Sequence, residues 1–272
     1  MIEFQDQLGR IIHLPHYPTR IISVVPSQTE LLFDLGLERE VIGITKFCIH
    51  PQEWFRTKTR VGGTKTLNTS IIDSLEPDLI IANKEENTRE EIEALATRYQ
   101  VWTSDVMNLE SALQMISSIG DLTNRNRQAG EIVTKVREEF QNLTNQLQKV
   151  KFKPRTGYLI WKDPYITVGG DTFINAMLHA CGMKNAFGHL KRYPEIQITQ
   201  LQEAGASGSE LCELLLLSSE PYPFSQKHID ELQMHLPKTS IELVDGEMFS
   251  WYGSRLIRAP AYFEQLISKL MI

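Results

Sequence analysis

Arg20–Gly36 reads RIISVVPSQTELLFDLG. A mainly apolar run, Ile21–Val25, stops at Pro26-Ser27, and a helical pattern then starts at Thr29, Glu30, Leu31, Leu32 and Leu35 before Gly36 closes it. A strand end, a small polar turn and a helix start this close together form the βα junction of an open α/β sheet. Such junctions lie at the carboxyl edge of the strands, where N–H groups of helix N-termini meet ligands. Every βα unit needs a turn of this kind. The stretch therefore points to the fold class and leaves the ligand role of Pro26 and Ser27 as an expectation.

Outward from that junction, short apolar runs alternate with helical segments. The strands expected are Ile21–Val25, Val41–Thr45, Leu79–Ala82 and Val101–Thr103; the helices are Thr29–Leu35, Ser70–Leu75, Arg89–Arg98 and Leu109–Ile119. Continuous apolar strands alternating with helices indicate a parallel sheet covered on both faces. A different segment spans Asn124 to Val150, with Ala129, Ile132, Val133, Val136, Phe140, Leu143 and Leu147 at three- and four-residue spacing. That is one apolar stripe on one long helix, and Pro154 bars its continuation. The alternation then restarts, with strands expected at Thr156–Trp161, Leu214–Ser218 and Ile241–Val244. Helices are expected at Thr172–Cys181, Gln200–Ala204, Gln226–His235 and Pro260–Met271, with Asp171 as N-cap and Gly182 as C′ residue of the first. The fold class is α/β: two Rossmann-like lobes with parallel sheets joined by a single long backbone α-helix. The divisions expected are an N-terminal lobe over 1–122, a linking helix over 123–151 and a C-terminal lobe over 152–272. Ligand is expected in the cleft between lobes.

Composition narrows the function. The chain has 272 residues, 42% of them hydrophobic, and a net charge of −6 without a basic stripe, which argues against nucleic-acid binding. No apolar run approaches a membrane span, so no membrane insertion is expected. The first twenty residues carry no basic n-region or apolar h-region. The chain as written is expected in the cytoplasm, with the periplasm as the alternative if a leader has been removed. Three cysteines without a CxxC pair suggest buried small hydrophobes. Cys48 and His50 offer two ligands to a metal, but nothing nearby completes a set, so no metal site of the protein's own is expected.

The loops at strand carboxyl ends are rich in aromatics: Phe47 and Trp54 in the first half; Trp161, Tyr165, Phe187, Tyr193, Tyr222, Phe224, Phe249, Trp251 and Tyr252 in the second. Flat apolar rings with polar tips suit a bulky, partly apolar ligand; packing onto the core is the plain alternative. Gly62-Gly63 in VGGTKT matches neither a dinucleotide nor a P-loop motif, so Gly63 serves close backbone approach to a ligand or a tight turn. Glu85-Glu86 reads as the solvated start of the following helix. Asp245, Glu247 and Arg255 in DGEMFSWYGSR are the candidates for an enzyme acting on a cofactor precursor; the alternative is a loop tied to the last helix. A protein–protein module is the third reading.

RIISVVPSQTELLFDLGLEREVIGITKFCIHP, VGG and SLEPDLIIA, followed by DPYITVGGDTFINAMLHACGMKNAF and YPEIQIT, resemble the periplasmic binding proteins for cobalamin, haem and ferric siderophores. Within that family they lie nearest the cobalamin binders of the vitamin import system. The resemblance covers nearly the whole chain. It implies two Rossmann-like lobes on a backbone helix and a non-catalytic protein without a cofactor of its own. The ligand it implies is a metal chelate: a corrinoid such as cobalamin, a ferric siderophore or haem. Phe47, Tyr165, Tyr193 and Asp245 match family ligand positions; Asn83 stands where a tryptophan is expected. The family docks on an ABC permease through one surface glutamate per lobe. Those positions fall on Ser70 and Thr199 here, with Asp73 and Glu203 as neighbouring acids. A monomer is expected.

Overall fold

The computed structural model describes residues 1–150, 153–202 and 212–270. Two compact units emerge. The first holds Met1–Val106, Glu110–Val136 and Trp251–Ile257; the second holds Met107–Leu109, Arg137–Ser250 and Arg258–Ile272. Trp251–Ile257, which the sequence reading leaves in the C-terminal lobe, packs with the first unit.

The first unit opens with an antiparallel hairpin, β1 (Ile2–Gln5) and β2 (Ile11–Leu14). Then come β3 (Ile21–Ser23), α1 (Pro26–Asp34), β4 (Val41–Ile44), α2 (Gln52–Thr57), β5 (Thr59–Arg60), β6 (Gly62–Gly63) and β7 (Thr66–Leu67). They are followed by α3 (Thr69–Leu75), β8 (Leu79–Asn83), α4 (Arg89–Ala96), β9 (Val101–Ser104), α5 (Leu109–Leu122) and α6 (Asn126–Leu147). The sheet order is β5-β4-β3-β8-β9, parallel throughout. Numbered by appearance this is the doubly wound 3-2-1-4-5, whose switch point lies between β3 and β8. Residues of β3 and β8 are buried on both faces, as a covered parallel sheet requires.

The helix expected from Thr29 starts at Pro26. Proline lacks an N–H and its fixed φ suits the first helical position, so Pro26-Ser27 forms the first turn of the helix. Gly36, at φ +77°, follows the C-cap Leu35, and Gly182, at φ +74°, follows the C-cap Cys181. Both take the left-handed C′ conformation that a side chain resists. Helix α6 runs 22 residues, about 33 Å at 1.5 Å rise per residue. Its first half belongs to the first unit and its second half, from Arg137, to the second.

The second unit comprises β10 (Arg155–Trp161), β11 (Tyr165–Thr167), α7 (Phe173–Ala180), β12 (Lys184–Asn185), β13 (Glu195–Ile196), α8 (Ile198–Gln202) and β14 (Leu214–Ser218). It continues with α9 (Gln226–His235), β15 (Ser240–Val244), α10 (Gly246–Ser250), a 3₁₀ turn (Ser254–Ile257, packed with the first unit) and α11 (Ala259–Leu270). Strands β10, β14 and β15 run parallel, but β11 pairs antiparallel with β10 and with β13. Three residues, Lys162–Pro164, join β10 to β11, too few for a parallel crossover, so this sheet is mixed. Strand β14 is buried throughout. Thr172, not Asp171, caps α7, its side chain accepting the Asn175 N–H at 3.2 Å. The expected end of α8 at Ala204 lies outside the described residues.

Candidate functional site

In the first unit the switch point is framed by the ends of β3, β4 and β8. The loop after β8 is built by two asparagines. Asn83 Nδ2 donates to the carbonyl and hydroxyl of Ser104 (3.3 and 3.0 Å), and Asn83 Oδ1 accepts the N–H groups of Glu85 and Glu86 (2.8 and 3.0 Å). Asn87 accepts the Asn83 N–H at 2.8 Å and donates to the carbonyls of Val24 and Thr64. Asn87 thus ties the end of β3, the β6–β7 turn and the end of β8 together. Asn83 is 2% exposed. Its side-chain amide is spent on Ser104 of β9 and on the turn at Glu85-Glu86. Glu85 and Glu86 belong to this turn, with Thr88 as the N-cap of α4.

Phe47, after β4, is 51% exposed, and the Lys46 ammonium lies 5.1 Å from its ring centre. A methyl group on Gly63 would stand 3.2 Å from the Phe47 ring, so the ring rests on glycine. An open groove of about 570 Å³ continues from there, lined by Lys46, Gly62, Gly63, Thr66, Asn68 and Glu91 among others. Cys48 is turned the other way. Its sulfur lies 3.1 Å from Thr29 Oγ1 and 3.2 Å from Thr45 Oγ1, fully buried, and burial pushes the thiol pKa up. The Cys48–His50 metal pair does not form. Among the described residues no group of three His, Cys, Asp or Glu side chains is placed to hold a metal.

The start of α1 is covered from a distant part of the sequence. Ser27 is 4% exposed, and a methyl group on Gly253 would stand 2.5 Å from the Ser27 carbonyl oxygen. Glu30 does not cap its own helix. Its carboxylate accepts two hydrogen bonds from Arg255, Nε at 2.9 Å and Nη2 at 2.8 Å. The Arg255 guanidinium also lies 4.5 Å from the Trp251 ring, and the His50 ring lies 5.4 Å from the same indole. Trp251 and Arg255 are each 6% exposed. Sequence alone does not pair Arg255 with Glu30, because nothing local links positions 225 apart.

In the second unit the end of β10 carries the aromatic face. Trp161 is 39% exposed and meets Tyr222 edge-on at 5.6 Å. Tyr222 leans on Phe224 at 4.7 Å, and both meet the His228 ring at 5.4 Å. His228 Nδ1 accepts the Ser225 N–H at 2.9 Å, completing a capping box at the start of α9. The ring proton therefore sits on Nε2, facing the Tyr222 hydroxyl at 3.3 Å. Burial lowers the His228 pKa, with the cations Lys227 and Lys162 adding to the shift and Glu231 opposing it. Lys162 is paired with Glu231.

Tyr165 and Tyr193 are half-buried on the same unit; burial raises the Tyr165 pKa, and the Arg192 guanidinium lies 6.0 Å from the Tyr193 ring. Phe249 does not line a surface. It is 0% exposed and packs on Tyr158 and Phe263 at 5.2 and 4.8 Å, as core. Asp245 accepts the Glu247 N–H at 3.1 Å, and its own N–H donates to the Tyr262 hydroxyl at 2.8 Å. Asp245 and Glu247 belong to the second unit and Arg255 to the first, where its guanidinium is bound to Glu30. The enzyme triplet is not one cluster within either unit.

Ser70 and Thr199 are both exposed. Asp73 accepts from Arg98 at 2.6 Å and from the Tyr99 hydroxyl at 2.7 Å, and these bonds hold its carboxyl below the usual range. Glu203 lies outside the described residues. No helix among the described residues is long and apolar enough to cross a membrane.

A family model described as periplasmic binding protein matches residues 21–206. The vitamin B12-binding protein of Photorhabdus laumondii is 29% identical over 174 residues, 63% of this chain and 62% of that protein. An uncharacterized ABC transporter substrate-binding lipoprotein of Bacillus subtilis is 26% identical over 192 residues, 68% of this chain and 60% of that protein. The matched region thus spans about three fifths of these curated relatives. Among solved structures, the periplasmic vitamin B12 binding protein of Vibrio cholerae superposes with a TM-score of 0.79 at 19% identity, covering 94% of this chain and 99% of that one. A periplasmic heme-binding protein in complex with two hemes reaches 0.80 at 18%, covering 93% and 99%. At these identities the structural likeness carries the fold.

Proposed function

The chain belongs to the periplasmic binding protein family, and from that premise we propose that it binds a bulky metal chelate of the corrinoid, haem or ferric-siderophore class without transforming it. The observation that carries this reading is the pair of exposed rings at sheet carboxyl edges, each backed by its own support. Phe47 lies on Gly63 beside Lys46; Trp161 lies on Tyr222. Large flat rings with cations and hydroxyls around them suit a macrocycle or aromatic chelator with polar edges. The metal arrives inside its chelator as cargo, so the protein need supply no complete ligand set of its own.

The curated relative that is a lipoprotein of an ABC transport system, and the periplasmic neighbours, favour the periplasmic alternative over the cytoplasmic expectation. We place the protein outside the cytoplasmic membrane, as a monomer delivering ligand to an ABC permease. Asp73, bound to Arg98 and Tyr99, meets such a partner as part of an ion pair and not as a lone acid.

The test is a titration with cyanocobalamin, dicyanocobinamide, haem and ferrichrome, read by tryptophan fluorescence and thermal shift. A ligand at a hundredfold its Kd stabilises by about 2.7 kcal/mol. For a protein of this size that is a rise in Tm of roughly 5–10 °C. No quenching and no shift with any of the four sinks the reading. Recovery of an altered chelate after incubation sinks its non-catalytic part.

A further inference from the structure

We propose that Glu30 is a positioning residue for ligand binding, acting through Arg255 to hold the Trp251 indole against the His50 loop of the first unit. The inference rests on the binding function proposed above and extends it to a side chain with no surface of its own. Glu30 and Arg255 are 10% and 6% exposed at their side chains, and the pair is bidentate.

Stability alone is a poor account of such a pair. Removing two ions from water costs several kcal/mol per ion, and apolar residues of similar volume often serve the fold as well or better. What an apolar pair does not do is fix a planar cation over an indole. The guanidinium is 4.5 Å from the Trp251 ring, and its plane is set by the two bonds to Glu30. His50, on the loop that also carries Phe47, meets the same indole at 5.4 Å. Two residues on, Gly253 lies so close to the Ser27 carbonyl that a methyl group would stand 2.5 Å from its oxygen. The close backbone seat, the cation and the edge contact together restrain the indole beside the loop that follows β4. Glu30 touches none of the ring and acts only through Arg255.

The experiment compares Glu30→Gln and Arg255→Lys, each alone and with Trp251→Phe, at a temperature where circular dichroism shows the native fold. Acrylamide quenching of the ligand-free proteins, differenced between the two backgrounds, isolates Trp251. Affinity is measured with cyanocobalamin, haem and ferrichrome. Expected is a more quenchable, red-shifted Trp251 in Glu30→Gln and about a tenfold loss of affinity, equivalent to about 1.4 kcal/mol. Arg255→Lys keeps charge but loses the fork and should fall between wild type and Glu30→Gln. A role confined to stability lowers Tm and leaves both the Trp251 signal and the affinity unchanged; that result overturns the inference. If Glu30→Gln does not fold, Arg255→Lys decides by the same two readouts. Failure of all three probes to bind the wild type refutes the binding reading, and the ligand-free quenching still decides whether Glu30 holds Trp251.

Discussion

Two glycine-to-alanine substitutions should move stability in opposite directions. At Gly253 an added Cβ would stand 2.5 Å from the Ser27 carbonyl oxygen and 3.3 Å from Leu31 Cβ. A carbon–oxygen contact relaxes at about 3.3 Å or more. The 251–257 segment must therefore lift by roughly 0.8 Å, since the opposing atom is helix backbone and cannot turn aside. Overpacking of this kind costs about 1–3 kcal/mol. At about 2–4 °C per kcal/mol for a chain of this size, Tm should fall by roughly 2–12 °C. At Gly130, exposed on α6, a Cβ meets nothing within 4 Å. Alanine there should stabilise by about 0.5–1 kcal/mol through helix propensity. Calorimetry with guanidinium unfolding measures both. A Gly253→Ala protein as stable as the wild type would refute the close approach of this segment to Ser27.

Three further outcomes follow from the packing and the buried titratable groups. Leu216→Ala, in a strand buried throughout, should cost about 2–5 kcal/mol in guanidinium unfolding. Cys48, Cys181 and Cys212 are buried, and burial pushes the Cys212 thiol up to about 11. A thiol reagent at pH 8 should find none of them until denaturant is added, and fast labelling of the native protein would contradict this. His228 is held below its ordinary 6.5 by burial, so the unfolded chain binds the proton first as pH falls. Its contribution to stability is present above that value and lost as pH drops through the depressed one. Tm should fall below about pH 6.5 more steeply in the wild type than in His228→Gln, and parallel profiles would refute the assignment.

Much of the scaffold was legible in advance because its signals are local. Strand β14 and helix α9 lie on the expected residues, set by an apolar run and by a 3.6-residue pattern with a clear start. The hairpin β1–β2 and the short strands β6, β7, β11, β12 and β13 carried no such signal, since two to four residues show no period. The antiparallel turn from β10 to β11 hides in a three-residue link whose meaning appears only once both strands are placed. Among the site residues, Phe47 and Trp161 present surface as an aromatic loop residue should. Asn83 and Phe249 do not, for different reasons. Asn83 is spent on hydrogen bonds to Ser104 and to the turn after β8, and Phe249 completes an aromatic core with Tyr158 and Phe263.

The sequence by itself determined the alternation of strands and helices, the long helix α6, the βα junction near Pro26 and the family. Periodicity, proline and glycine act over a few residues and need no partner from elsewhere. Only the tertiary structure decided that Trp251–Ile257 packs with the first unit, that Gly253 covers Ser27, and that Glu30 meets Arg255 across 225 positions. A carboxylate near a helix start looks the same in sequence whether it favours its own helix dipole or waits for a distant arginine. Burial separates the two cases: once water is excluded from Glu30, its charge must be matched by whichever cation the folded chain brings within bonding distance.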